Sequence, residues 1–382
     1  MDLHEARPFL GGRATSFPVS DQESVDNCQH VLLRCCSNLI DFYRRCGVLE
    51  KIRFFAEYCF VEPGGRVSLL RPGLLPLARF APLDWRDKLA IARALMAMRR
   101  VRARPGLEAT TFGDWLAAHG QTPRAISRFW RPVIVSALNE EPARASAAPA
   151  FQVFLDGFLA AGDGWQMGVP AVPLAELYAG SLPNVRVHLR SALDRLDPGD
   201  RSAGFYLSAV PFERVADLVP GLGLDLARFE HSPITGIHLW FDREITALPQ
   251  AALLDRTLQW IFRKSAVHYH LVVSASRSLV RIPRQQIIDL ALAEVREFFP
   301  AARQARLDRA QVIKEARATF APLPGVEAAR PGPETRYPNL FLAGDWTCTG
   351  WPATMEGAVR SGYLAAEAIC RAAGRPRRFL IP

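Results

Sequence analysis

Two stretches, one at each end of the chain, carry residue types suited to holding a nucleotide. The first runs Leu3-His4-Glu5-Ala6-Arg7-Pro8-Phe9-Leu10-Gly11-Gly12-Arg13-Ala14. Leu3–Glu5 reads as the end of a strand and Arg7–Arg13 as a loop. An acid at a strand end can accept hydrogen bonds from both hydroxyls of an adenosine ribose. Gly11-Gly12 lets the backbone approach a pyrophosphate, and Arg13 can neutralise it. An ordinary turn beside a surface acid has the same composition, so this stretch does not decide alone. The second runs Phe341-Leu342-Ala343-Gly344-Asp345-Trp346-Thr347 and continues through Gly350-Trp351-Pro352-Ala353-Thr354-Met355-Glu356-Gly357-Ala358. A short strand delivers Gly344 and Asp345 to a loop, and a helix opens near Thr354 and Met355. The N–H groups and partial positive charge of a helix N-terminus suit an electron-rich ring oxygen. Glu5, Gly11, Gly12, Arg13, Gly344, Asp345, Thr354 and Met355 are therefore the candidate cofactor-binding residues.

The elements that must position these residues alternate between strands and helices at both ends of the chain. Val31–Cys46 reads as a helix stopped by Gly47, and Tyr58–Val61 with Arg66–Leu70 as a hairpin across Pro63-Gly64-Gly65. Asp84 caps a helix running to about Arg102, and Thr111 with Asp114 forms a capping box before Trp115. Ala125–Leu138 and Ala150–Ala161 make the middle third mostly helical. Strands are expected at Val185–Leu189, Gly204–Ala209, Ile234–Phe241, Leu258–Phe262, His268–Val273, Ala310–Ala318 and Leu340–Ala343. Helices are expected at Pro211–Leu218, at Ile287–Phe299 and from Thr354 to about Ala372. The pattern predicts an α/β nucleotide domain made of separated segments, 1–50, 180–225 and 310–382. An α+β substrate domain with a helical insert takes 51–179 and 226–309.

Composition narrows the classes. The 382 residues are 49% apolar and 22% charged, enough for a sizeable core. No apolar run approaches the roughly 20 residues of a membrane span. Met1–His30 mixes acids, bases, glycines and prolines and does not read as a signal peptide, which predicts a cytoplasmic protein. The formal charge of +9 comes from scattered arginines; only Lys51, Lys88, Lys264 and Lys314 are lysines. That is not the dense basic face of a nucleic-acid binder, and no nucleic-acid partner is expected. The tail arginines 371, 375, 377 and 378, followed by Phe379-Leu380-Ile381, are a local candidate for attraction to an anionic membrane surface. Leu69–Leu83, with Pro72, Gly73, Pro76 and Pro82 among its leucines, cannot be a clean helix and reads as an apolar lip or a buried loop. The seven cysteines include no C-x-x-C pair, His268 and His270 share one side of a strand without a third ligand, and no metal is expected. Trp346 and Trp351 are equally suited to a cavity wall and to a core.

Glu5-Ala6-x-x-x-x-Gly11-Gly12-Arg13, Ala343-Gly344-Asp345 and Met355-Glu356-Gly357-Ala358 together resemble the flavin amine oxidase and phytoene desaturase superfamily. Within it the chain is most similar to the squalene-associated, FAD-dependent group understood as hydroxysqualene dehydroxylases of hopanoid biosynthesis. Asp26-Asn27-Cys28-Gln29-His30-Val31-Leu32-Leu33, Leu239-Trp240-Phe241-Asp242-Arg243, Lys314 to Pro322, and Thr349 to Gly357 carry this resemblance. It implies a glutathione-reductase-like FAD fold and an isoprenoid substrate. It also implies peripheral contact with the inner face of the membrane, and other enzymes of squalene synthesis as partners. His30 would lie near the flavin and serve as the acid for a leaving hydroxyl. The family opens with a strand and Gly-x-Gly-x-x-Gly about 20 residues before its acid, whereas Glu5 is the fifth residue here. That first β–α unit is missing, and the resemblance implies a true start upstream. Reductive dehydroxylation of hydroxysqualene is the activity implied. Oxidative desaturation of a carotenoid precursor is the alternative, and an FAD-free, truncated non-enzyme stands as a third reading.

Overall fold

The strand His231–Phe241 alternates its side chains between two faces. Ile237, Leu239 and Phe241 point to one face, and Gly236, His238 and Trp240 to the other. The apolar face packs on the helix Arg284–Phe298 through Ile287, Ala291, Val295 and Phe298. In the computed structural model, which describes residues 1–20, 23–101, 106–180, 182–200 and 204–382, this strand lies inside a seven-stranded sheet. The spatial order is Leu307–Phe320, His231–Phe241, His268–Ser274, Trp260–Arg263, Gln250–Leu253, Tyr58–Val61, Val67–Leu70. All neighbours are antiparallel except Gln250–Leu253 and Tyr58–Val61, which run parallel. The expected hairpin across residues 63–65 is present, with Tyr58 opposite Leu70 and Val61 opposite Val67.

The middle third is helical, as the capping signals predict. Thr111 Oγ1 accepts from the Asp114 N–H at 3.0 Å to start Phe112–Ala118, and Thr122 Oγ1 accepts from Ala125 N at 3.0 Å to start the next helix. Trp85–Val101 follows Asp84; the expected end near Arg102 lies outside the described residues. These helices share an aromatic core centred on Phe112, Phe129, Trp130 and Phe154.

Two short parallel pairs stand apart from the large sheet. Asp2–Glu5 pairs with Arg186–Leu189, and Tyr206–Ser208 pairs with Leu340–Leu342. The strand expected at 340–343 therefore delivers Gly344 and Asp345 as the sequence implies. The C-terminal helix spans Met355–Ala372.

Several elements differ from the expectation. The helix expected over Val31–Cys46 begins only at Ser37, because Leu32–Leu33 hydrogen-bonds as a strand to Met167–Pro170. Ser16–Ser20 and Glu23–Asp26 form a hairpin that the sequence pattern did not show. Within the Leu69–Leu83 stretch a six-residue helix, Leu74–Arg79, does form. Its Leu77 is buried along with Phe80 and Leu83, while Leu69 and Leu75 are exposed. Trp346 belongs to the core beneath Leu340 and Leu342 and donates its indole N–H to Val210 O at 3.0 Å. The tail is folded back: Glu367 accepts from the Phe379 and Leu380 amides, and Asn38 Oδ1 from Ile381 N at 2.9 Å. All seven cysteines are free thiols. Among the described residues no helix is long and apolar enough to cross a membrane.

Candidate functional site

The two ends of the chain meet through an ion pair. The Arg13 guanidinium contacts Asp345 Oδ1 and donates to Ala318 O at 2.9 Å. Asp345 is buried and Arg13 is half-exposed. The turn that presents Asp345 is itself clamped. The buried Arg330 side chain donates to Thr347 O at 2.9 Å, to Asp345 O at 3.1 Å and to Thr349 Oγ1 at 3.1 Å. Gly344 has φ +129°, and a β-carbon there would stand 2.6 Å from Trp346 Nε1, so only glycine fits this turn.

Gly11 and Met355 are tied by a tyrosine. A β-carbon on Gly11 would meet Ala14 O at 2.7 Å and the Tyr178 ring at 3.0 Å. The hydroxyls of Tyr178 and Tyr43 both point at Met355 Sδ, at 3.8 and 3.6 Å. With its side chain held there, Met355 can offer a ligand its backbone N–H in the first turn of the C-terminal helix. Thr354 Oγ1 caps that helix by accepting from Gly357 N at 3.1 Å. Glu5 ends its strand as expected. One carboxylate oxygen accepts from Arg7 N at 2.8 Å, and the other is unengaged among the described residues. Arg7 in turn donates to Gly12 O at 3.0 Å, which closes the loop on itself.

His30 hydrogen-bonds through Nδ1 to Cys28 O at 3.1 Å, which leaves Nε2 for another partner. Burial holds its pKa below the usual imidazole value, opposed by the Cys28 carbonyl and Asp26, while Arg13 and Lys264 add to the lowering. Three residues earlier, Asn27 bonds to Arg13 O at 2.8 Å, which ties the His30 segment to the loop of nucleotide candidates.

Sequence reading missed four contributors. Asn27 donates through Nδ2 to Arg13 O at 2.8 Å, fixing the loop from behind. Glu356, fully buried, accepts from Asn38 N, Asn38 Nδ2 and Leu39 N at 3.3, 2.8 and 2.7 Å. It thus satisfies the free N–H groups that open the helix Ser37–Arg45. Both residues stand inside runs that carry the resemblance, but nothing in their type announces these bonds. Arg330 carried no local signal.

The fourth is His238, which completes a ladder on the second face of the large sheet. His238 lies directly across from His270, and Trp240 across from His268. The rings of His238 and His270 stack at 3.8 Å, and those of Trp240 and His268 at 4.1 Å. Asp26 O can only accept, so His238 Nε2 donates to it at 3.0 Å. His238 Nδ1 then accepts from His268 Nε2 at 3.0 Å. Burial pushes His238 down to about 4 and His268 to about 3, so both are neutral at pH 7. Lys264 stands beside them and donates to Asp26 Oδ2 at 3.0 Å.

These residues fit a flavin nucleotide. They supply a strand-end carboxylate with a free oxygen, a diglycine loop with an arginine, and a capped N-terminus of an 18-residue helix. Thr15 Oγ1 and Asn27 Oδ1, which flank this region, are buried without a hydrogen-bond partner among the described residues. Comparison with known proteins agrees. The sequence pattern of the flavin containing amine oxidoreductases matches residues 1–370. A hydroxysqualene dehydroxylase of Sinorhizobium fredii is 33% identical over 96% of this chain and 91% of that protein. A zeta-carotene desaturase of Synechocystis is 24% identical over 97% of this chain and 92% of that protein. The fold resembles that of cyclohexylamine oxidase from Brevibacterium oxydans, with a TM-score of 0.71 at 16% identity over 97% of this chain and 93% of that one.

Proposed function

The chain belongs to the flavin containing amine oxidoreductase family, and from that membership we propose that it is an FAD-dependent oxidoreductase converting hydroxysqualene to squalene. One observation carries the choice of reaction: 33% identity to a dehydroxylase across 96% of the chain, against 24% to a desaturase of similar coverage. The desaturase reading needs the same cofactor and a similar apolar substrate, so the gap in identity decides between them.

Bound FAD, when reduced, supplies the hydride. The chain's own residues have three tasks. Glu5, Gly11, Gly12 and Arg13 hold the ribose and pyrophosphate, with Arg13 kept in place by Asp345 and Asn27. Gly344, Thr354 and the Met355 amide face the ring end through the helix N-terminus. The third task is to assist departure of the hydroxyl. The allylic C–O bond breaks with its electron pair on oxygen, a proton makes that oxygen water, and hydride completes the carbon. We assign the proton to His30 Nε2, the nitrogen that Cys28 O leaves free. Burial makes the His30 imidazolium a stronger acid than free histidine, and scarcer at neutral pH. His30→Ala should slow the chemical step by roughly 10²-fold, and the wild-type rate should rise as pH falls below neutrality.

A hydrocarbon alcohol resides in membranes, and the exposed apolar side chains Leu69, Leu75, Trp85, Leu89 and Met96, with Arg71, Arg79 and Lys88 among them, are the surface we assign to bilayer contact. The test of the function is product analysis. FAD-loaded protein with a reductant and vesicle-borne hydroxysqualene should yield squalene. Recovery of the alcohol unchanged, with new double bonds introduced into phytoene by the oxidised protein, would replace this reading with the desaturase.

A further inference from the structure

The ladder contains one histidine whose polar atoms are not used. His270 is fully buried, yet neither Nδ1 nor Nε2 has a hydrogen-bond partner among the described residues. Buried polar nitrogens without partners are rare, because each loses water and gains nothing in return. On the same face His238 uses both ring nitrogens and His268 uses its Nε2, so His270 is the one ring of the three with no hydrogen bond at all among the described residues.

The surroundings of Nε2 are equally specific. Gly236 lies one strand away, two residues before His238 on the same face. A β-carbon on Gly236 would stand 2.9 Å from His270 Nε2 and 3.0 Å from Asn27 O. A side chain at this position would fill the space between an imidazole nitrogen and a carbonyl oxygen; glycine keeps it open. Asn27 contributes a second observation, since its Oδ1 is also buried without a hydrogen-bond partner among the described residues. Its Nδ2 is bonded to Arg13 O. The niche therefore adjoins the loop that holds the nucleotide candidates, on the sheet face that carries His238 and Trp240.

We propose that His270, floored by Gly236 and flanked by Asn27, is the subsite that binds the substrate's hydroxyl group. A neutral imidazole has one N–H and one lone pair, and an alcohol has the complementary pair, so each can donate to and accept from the other. Burial and the neighbouring His238 and Lys264 keep His270 neutral, so it positions the oxygen and does not protonate it. That separates two roles, with His270 orienting the hydroxyl and His30 supplying the proton. This inference rests on the dehydroxylase reading and adds the residue that would tell an alcohol from its hydrocarbon product.

The test uses oxidised, FAD-loaded protein, which can bind the alcohol without consuming it. Binding of hydroxysqualene and of squalene is followed by the change in the flavin absorbance. Wild type should favour the alcohol by about 3- to 10-fold, the value of one buried hydrogen bond. Both His270→Phe, which removes the nitrogens, and Gly236→Ala, which fills the niche, should abolish that preference while squalene affinity stays within about twofold. His270→Gln, which restores a donor and an acceptor, should recover part of it. Retention of the full preference in folded His270→Phe and Gly236→Ala overturns the subsite. Equal binding of alcohol and hydrocarbon by wild type overturns it as well while leaving the function standing. Binding of neither compound by wild type overturns the functional reading and the subsite with it.

Discussion

Every residue of the strand His268–Ser274 is buried, whereas every residue of Arg186–Leu189 is exposed. The first sits third in a seven-stranded sheet with a helix on one face; the second has a single partner, Asp2–Glu5. The two regions hold their functional side chains in different ways. On the large sheet, burial and cross-strand register fix His238, His268 and His270. On the proposed nucleotide side, a few polar links between distant segments do the positioning. Arg13 reaches Asp345 across 332 residues of sequence, and Glu356 reaches Asn38 across 318. Damage to the first region should therefore appear mainly as lost stability. Damage to the second should appear as lost cofactor affinity, except at Glu356, where a helix start depends on the link.

The largest expected effect comes from pH and belongs to the sheet. His238, His268 and His270 have folded pKa values below the unfolded value of about 6.5, so the unfolded chain takes up protons that the folded chain refuses. Their neutral burial costs nothing by protonation above pH 6.5, and stability falls as pH drops from there towards 4. Between pH 7.5 and 5.5 His238 and His268 together should remove about 3 kcal/mol, and His270 adds to the loss in the same direction. Denaturant midpoints at the two pH values measure this. A flat profile would mean that the ladder accepts protons while folded, and that its dryness does not distinguish it from the nucleotide side.

Glu356→Ala comes next. Three N–H groups lose a buried acceptor, and the helix Ser37–Arg45 loses the anion at its start. We expect a loss of about 3 kcal/mol in the unfolding free energy. Loss of less than about 1 kcal/mol would show that water replaces the carboxylate easily.

Asp345→Ala should leave stability within about 1 kcal/mol and weaken FAD binding by about tenfold or more, because the Arg13 guanidinium then keeps only its bond to Ala318 O. Titration of the apoprotein with FAD measures it. Equal affinity in mutant and wild type would reduce the Arg13–Asp345 pair to a structural contact.

The smallest stability effect is expected at Leu75 and Trp85, which are 61% and 68% exposed. Leu75→Ser with Trp85→Ser should move the midpoint by less than about 0.5 kcal/mol yet lower co-sedimentation with anionic vesicles. Unchanged sedimentation would remove this surface from membrane contact.

How much of this was legible in the sequence follows from which interactions are local. Thr111 with Asp114, the turn at residues 63–65 and the start at Thr354 are set within a few residues, and each lies where its signal placed it. The helix expected over Val31–Cys46 forms only from Ser37, because Leu32 and Leu33 pair with Gly168 and Met167 of a distant strand. The hairpin Ser16–Ser20 with Glu23–Asp26 was hidden because Pro18 and scattered polar residues obscure its alternation. At the candidate site the glycines, Arg13 and Asp345 were visible by type. His238, Asn27 and Arg330 were not, since their roles depend on strand register and on loops that only the fold brings together.

The proposed dehydroxylation stands or falls on the direction in which electrons move. The direct measurement is an anaerobic single turnover in which FAD-loaded, chemically reduced protein is mixed with hydroxysqualene and the return of the oxidised-flavin absorbance is followed. Squalene should appear in a 1:1 ratio with the flavin oxidised, and squalene itself should elicit no oxidation. Flavin that stays reduced in the presence of the alcohol, in a protein whose oxidised form is reduced by phytoene, would contradict the proposed dehydroxylation and assign the chain to desaturation.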